Sequence, residues 1–177
     1  NIDNLVVRYL FSEKISAEYI SMNLISKIIF FLVIGIAPLM FAELKKLKNQ
    51  LPLYISIFIV IFLGTIFFLT INIFHKEISI IIFDNKYLDN TNIMIQLSLA
   101  NIFFGILYFL ILNKLAKKNY MNLIFMFISM IIYTYALFNI KSDLGGIANI
   151  VLTFSIIFVI SMLLDFKLFN KILYKAK

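Results

Sequence analysis

YISMNLISKIIFFLVIGIAPLMFA, residues 19–42, is long enough to cross a lipid bilayer as a single helix. A spanning helix needs about 20 apolar residues, because each residue adds about 1.5 Å of rise to a hydrocarbon core of about 30 Å. The first half of this stretch carries a polar stripe at helical spacing, formed by Tyr19, Asn23, Ser26 and Lys27. A cation inside a membrane helix is costly, so Lys27 predicts a functional or pairing role.

The second half of this stretch is apolar and contains Gly35 and Pro38. Proline has no backbone N–H, so the carbonyl of Ile34 loses its helical partner at Pro38. The sequence therefore predicts a bend in the helix at Gly35 and Pro38.

The composition of the whole chain indicates a membrane protein. Of its 177 residues, 63% are hydrophobic and 14% are charged, whereas soluble domains have roughly 45–50% apolar and about 25% charged residues. The chain has no cysteine and one histidine, so we expect no disulfide framework and no metal site of cysteine or clustered histidine ligands. We expect no cofactor.

Outward from residues 19–42, four more stretches are long and apolar enough to span. They cover about 53–74, 93–113, 120–140 and 147–166. Residues 1–11 are too short to span and read as the second half of a helix whose first half is missing. The expected fold is therefore an all-α, multi-pass transmembrane bundle with five full spans and one truncated N-terminal span.

The segments between the spans also carry predictions. We expect residues 12–17 to form a short loop, and residues 75–92 to form the longest connection. Within that connection, Ile78, Ile81 and Ile82 share one helical face and predict a turn of helix lying at the membrane interface. A β-strand is the alternative for the same residues.

The lysines predict the orientation of the bundle. The segments 43–50, 114–119 and 167–177 carry ten lysines. The segments that alternate with them along the chain, 12–18, 75–92 and 141–146, carry four lysines and six acids. By the positive-inside rule, the lysine-rich segments and the C-terminus face the cytoplasm. This placement also explains the net charge of +7 without nucleic acid as a partner. Several tyrosines near span ends are expected to be interfacial anchors, Tyr19 and Tyr54 among them.

Two motifs resemble a known family. Residues 1–42 combine a helix bearing Asp3, a short loop, Glu18-Tyr19, a basic residue eight positions on, and an apolar stretch with proline. Residues 80–106, IIIFDNKYLDNTNIMIQLSLANIFFGI, combine an apolar run, an acidic turn with a tyrosine and a Leu-Ala helix start. Together they resemble the C-terminal half of Wzx-type polysaccharide flippases in the multidrug/oligosaccharidyl-lipid/polysaccharide superfamily. The family's turn glycine is replaced here by Asp84 or Asn85.

The resemblance implies that residues 1–177 form the C-terminal six-helix bundle of a larger transporter whose N-terminal bundle is supplied by the same gene or by a separate chain. It implies an undecaprenyl-diphosphate-linked sugar as substrate, membrane lipid as surroundings, and the bacterial inner (cytoplasmic) membrane as location. It implies transport by alternating access and no enzymatic activity. We also expect that this chain, with one wall of the cavity, does not transport alone.

The candidate substrate and cavity residues are Lys27, Arg8, Asp3 and Asn23. A cation in a water-filled cavity attracts a diphosphate, so Lys27 is a candidate substrate contact. Alternatively, Lys27 pairs with Asp3 or Glu18, or extends toward the membrane surface. In the flippase interpretation Asp3 is a candidate cation-coupling or proton site and Arg8 a second phosphate contact. The structural alternative is that Asp3 and Arg8 each pair with a buried neighbouring group and have no role in transport.

On the span at 93–113, small and polar residues share one face: Ser98, Asn101, Gly105 and Tyr108. This pattern favours helix packing over substrate contact. Three other functions stay open for the chain. It could be half of a multidrug exporter, a membrane enzyme acting on lipid-linked substrates, or a scaffold. Lys27 and Arg8 argue against cationic drugs, and no spacing of acids in residues 75–92 indicates a catalytic loop.

Overall fold

A computed structural model describes residues 2–47, 50–83, 90–117, 121–140 and 143–163. This part of the chain contains no strand and is almost entirely helical. Its helices are α1 (Ile2–Leu10), α2 (Glu13–Ser26), α3 (Ile28–Leu47), α4 (Leu51–Phe83), α5 (Ile93–Ala116), α6 (Met121–Asn139) and α7 (Leu144–Leu163). The predicted all-α fold is confirmed.

Five of these helices, α3 to α7, are long and apolar enough to cross a membrane. In lipid, a helix satisfies its backbone hydrogen bonds internally, which makes it one of the few structures that can span. The chain is therefore a multi-pass membrane protein. The acidic turn with Asp84 and Tyr87, the lysines at 118 and 141, and everything after residue 163 lie outside the described residues.

The stretch predicted to cross at residues 19–42 covers the end of α2 and most of α3, and the part that is long and apolar enough to span is Ile28–Lys46 of α3. Backbone hydrogen bonds run through the junction, since the Lys27 amide donates to the Asn23 carbonyl at 3.1 Å and the Phe31 amide donates to the Lys27 carbonyl at 3.1 Å. The regular helix is interrupted only at Lys27, where φ is −83° and ψ is −3°. Helix α3 continues through Gly35 and Pro38 to Leu47, and the bend expected there stays a prediction.

Two boundaries differ from the sequence-based ones. The predicted loop at residues 12–17 is wrong beyond Ser12, because α2 already begins at Glu13. A single extended residue, Ser12 with φ −61° and ψ 157°, is enough to reverse the chain between α1 and α2.

Helix α4 extends beyond its predicted end, with non-helical angles at Phe74 (φ −114°, ψ 20°). Residues 75–83 are helical after this kink, so the β-strand alternative is wrong. Ile78 packs on a buried cluster, whereas Ile81 is 81% exposed and Ile82 also points outward. A position of this turn at the membrane interface stays a prediction.

Helix α5 lies at the centre of the bundle and contributes to all three buried apolar clusters. It packs against α1, α2, α6 and α7 in one cluster and against α3 and α4 in another. A third, smaller cluster joins it to α2 and α4 through Met22, Ile71 and Met94.

Two glycines permit this close packing. A Cβ added at Gly105 would lie 2.9 Å from Cγ2 of Val33, and one at Gly64 would lie 2.9 Å from Cγ1 of Ile102. Small residues where membrane helices touch let the backbones approach.

Candidate functional site

A cavity of about 380 Å³ lies inside the bundle, between α1, α2, α3 and α5 on one side and α6 and α7 on the other. Its volume is within the range of about 300–1,000 Å³ that is usual for small-molecule sites. Both α1 and the central α5 contribute to its wall. The cavity is therefore lined by elements that are distant in sequence.

Side chains with a charge or an amide group line this cavity: Asp3, Asn23, Lys27 and Asn101. The first three are candidates predicted from the sequence, and the structure brings them to one place. The fourth predicted candidate, Arg8, does not line the cavity and is exposed on α1. A substrate contact by Arg8 inside this cavity has no support in the geometry.

Asp3 is buried, and two side chains of α2 donate hydrogen bonds to it. The hydroxyl of Tyr19 donates to Oδ2 of Asp3 at 3.2 Å, and Nδ2 of Asn23 donates to the same oxygen at 2.5 Å. Asn23 also donates to Oδ1 of Asn4 at 2.7 Å. Hydrogen bonds to a buried carboxylate offset the cost of removing its charge from water.

Lys27 lies one helical turn beyond Asn23 and is half-buried at the cavity wall. The carboxylate of Asp3 attracts the ammonium of Lys27. The structure thus combines two of the alternatives for Lys27: it faces the cavity and it interacts electrostatically with Asp3.

Glu18 does not take part in this cluster. Its Oε1 accepts a hydrogen bond from the backbone amide of Asn90 at 3.1 Å, just before α5 begins. Glu18 therefore holds the start of α5 against α2, which is a structural role.

The predicted polar stripe of residues 19–27 divides between two neighbours. Tyr19, Asn23 and Lys27 face α1 and the cavity, whereas the hydroxyl of Ser26 donates to the carbonyl oxygens of Met22 and Met94. The expectation that Tyr19 is an interfacial anchor is wrong, because its ring is fully buried and its hydroxyl binds Asp3. Tyr54 is 62% exposed, which agrees with an anchor role.

The polar face predicted on α5 is also divided. Gly105 packs against α3 and α4, and Ser98 is buried with its hydroxyl bonded to the Ile95 carbonyl. Asn101 and Tyr108 instead line the cavity. Packing is therefore the role of Gly105, and a cavity position belongs to Asn101 and Tyr108.

Aromatic and methionine side chains also line the cavity. Tyr133 lies against Phe158 with ring centroids 6.0 Å apart in an edge-to-face arrangement, and Phe104 lies 6.5 Å from Phe158. Met126 and Met130 complete this wall on α6. Sequence reasoning missed Tyr133 and Phe158, because a ring in an apolar span carries no signal of whether it faces lipid or a cavity.

Within the described ranges, no group of three or more histidine, cysteine or acidic side chains is arranged to hold a metal ion. No family model, no curated protein and no solved structure matches this chain.

Proposed function

We propose that this chain is one helical bundle of a membrane transporter of the Wzx flippase type, which moves an undecaprenyl-diphosphate-linked sugar across the bacterial cytoplasmic membrane by alternating access. The single observation that supports the proposal is the cluster of one acid, one amide and one cation, Asp3, Asn23 and Lys27, in the wall of a cavity of the helical bundle. Ionisable residues inside membrane spans are expensive, and they mark substrate or ion pathways.

In this mechanism, the polar headgroup occupies the cavity while the lipid tail stays in the bilayer. Lys27 contacts the diphosphate, because an ammonium in a low-dielectric site attracts phosphate strongly. The aromatic wall with Tyr133 and Phe158 packs against the sugar. The chain binds and moves its substrate and carries out no reaction on it.

The test uses the purified chain in nanodiscs that contain undecaprenyl diphosphate-linked N-acetylglucosamine. Native mass spectrometry is expected to detect one retained lipid per chain, and Lys27→Gln is expected to reduce retention about tenfold. Lys14→Gln is the matched control, because Lys14 is exposed on α2 and does not line the cavity. Equal retention by both variants would contradict the role of Lys27.

Proteoliposomes that contain the chain alone are expected to show no flipping, because a second bundle has to supply the opposite side of the pathway. Transport by the 177-residue chain without a partner would overturn that part of the proposal.

A second candidate is half of a multidrug exporter, and the buried carboxylate of Asp3 is the observation that favours it. A carboxylate facing aromatic rings suits organic cations. Binding of a lipophilic cation such as tetraphenylphosphonium that Asp3→Asn abolishes and Lys27→Gln strengthens would favour this candidate.

A further inference from the structure

The cavity wall holds two opposite charges, and the ligand has to satisfy both. Asp3 and Lys27 are the charged side chains among the described residues that line it. Asp3 lies on α1 and Lys27 at the end of α2, and the hydrogen bond from Asn23 holds Asp3 against a residue that lies one helical turn before Lys27. Their charges already attract each other when no ligand is present.

A ligand with one kind of charge is poorly matched to this arrangement. An anion that binds Lys27 competes with Asp3 for the same ammonium and is repelled by the carboxylate. A cation that binds Asp3 meets the equivalent repulsion from Lys27. Because an uncompensated charge is costly in a membrane interior, either ligand leaves one of the two side chains without an opposite charge and binds less tightly than a ligand that matches both.

We propose that the headgroup bound in this cavity is zwitterionic: a sugar phosphate with a free amino group, whose ammonium faces Asp3 and whose phosphate faces Lys27. Such a ligand offers an opposite charge to each of the two side chains. This inference rests on the proposed function, since it specifies the sugar that the transporter carries.

The rest of the cavity fits a ring between the two charges. Asn101 adds an amide on α5 next to the polar side. Tyr133 and Phe158 provide aromatic surface for the apolar C–H face of a sugar. The volume of about 380 Å³ accommodates a compact polar ligand.

Four probes on one sugar ring separate the two charges: glucosamine 1-phosphate, glucose 1-phosphate, glucosamine and glucose. Isothermal titration calorimetry of the chain in nanodiscs at neutral pH measures Kd for each. Glucosamine 1-phosphate is expected to bind about tenfold more tightly than any of the other three.

Two variants test which side chain recognises the amino group and which recognises the phosphate. Asp3→Asn is expected to remove the advantage of the amino group, and Lys27→Gln the advantage of the phosphate. Arg8→Gln is the matched control, because Arg8 is charged and exposed outside the cavity. The comparison of the four probes on the unaltered chain is decisive even if Asp3→Asn does not fold.

The remaining outcomes distinguish the two proposals. If glucose 1-phosphate binds as tightly as glucosamine 1-phosphate and depends on Lys27, the zwitterion is wrong and the flippase proposal stands. If glucosamine alone binds most tightly and depends on Asp3, both are wrong and the exporter is favoured. Failure of all four probes to bind would overturn the zwitterionic site, whereas retention of the lipid-linked sugar would still support the flippase.

Discussion

Asn23 links α1 to α2 through its side-chain amide. It donates to the buried carboxylate of Asp3 and to the side chain of Asn4, so one residue holds two positions of α1 in place. In lipid, polar contacts between helices hold helices together where the hydrophobic effect contributes little. Asn23 thus positions the acid of the cavity rather than acting on a ligand by itself.

Replacing Asn23 by leucine is expected to destabilise the bundle by about 1–2 kcal/mol, because Asp3 loses a donor while it remains buried. The measurement is thermal unfolding in detergent, followed by circular dichroism. Asn139→Leu is the control, since that side chain is exposed and bonds only to the Tyr135 carbonyl of its own helix. Equal melting temperatures for the two variants would show that the link to Asp3 contributes nothing.

Glu18 provides a second polar link, between α2 and the start of α5. We expect Glu18→Ala to lower stability by about 1 kcal/mol, because the backbone amide of Asn90 loses its acceptor. Glu18→Gln keeps a carbonyl oxygen at the same position and is expected to retain most of the stability. Thermal unfolding of the two variants checks this, and a glutamine variant as unstable as the alanine variant would argue that charge, not acceptor geometry, matters.

Among the helices, α5 is the one against which the others pack. Its buried face contacts both the α3–α4 pair and the α6–α7 pair. Gly105 lies where α3 and α4 approach it, and Gly64 lies where α4 approaches it. The fit of the bundle therefore depends on small residues at a few crossing points.

A methyl group at Gly105 is expected to destabilise the protein by about 1–3 kcal/mol, because it would overlap the Val33 side chain. Gly35→Ala is the matched control, because a Cβ at Gly35 meets nothing within 4 Å. Alanine has a higher helix propensity than glycine, so this variant is expected to be as stable as the original protein or more stable by up to about 1 kcal/mol. Urea or thermal unfolding in the same detergent compares them. A Gly105→Ala variant as stable as Gly35→Ala would mean that α3 can move away from α5 and make room for the methyl group at little cost.

The interruption at Lys27 belongs to the same level of structure. The helix continues on both sides of Lys27, and the charge lies at the point where the backbone angles depart from helical values. This departure coincides with the cavity, so local backbone irregularity and the polar site occur together. Non-helical backbone at membrane depth is usually found where it lines protein or a cavity.

For the molecule as a whole, the distribution of lysines predicts the orientation of the bundle in the membrane. The chain contains no native cysteine, so the reactivity of a single introduced cysteine reports directly which side of the membrane that residue faces. Ser12→Cys, in the exposed turn between α1 and α2, is expected to react with a membrane-impermeant maleimide in intact spheroplasts. Lys117→Cys, exposed at the end of α5, is expected to react only after lysis. The reverse pattern would overturn the positive-inside assignment.

Most of the membrane architecture follows from the chain's local patterns. The lengths of the apolar stretches predict the five spans, because the thickness of a bilayer fixes how many apolar residues a span needs. The exceptions are boundaries: the turn at Ser12 is shorter than predicted and α4 continues past Phe74. In both places a buried polar residue is helical: Ser16, whose hydroxyl donates to the Val7 carbonyl of α1, and Ser79.

The site is only half predictable from residue patterns. A lysine, an aspartate and an asparagine in membrane spans are recognisable as unusual, because burying polar groups in lipid is costly wherever they lie. Which of them meet is decided by packing between helices distant in sequence. Only the tertiary structure places Tyr19 on Asp3, leaves Arg8 outside the cavity, and brings Tyr133 and Phe158 into the same cavity lining as Lys27. The hydrophobicity of a helix determines whether it can span the membrane. Which of its faces points into the cavity depends on the neighbouring helices, and no local sequence pattern specifies those neighbours.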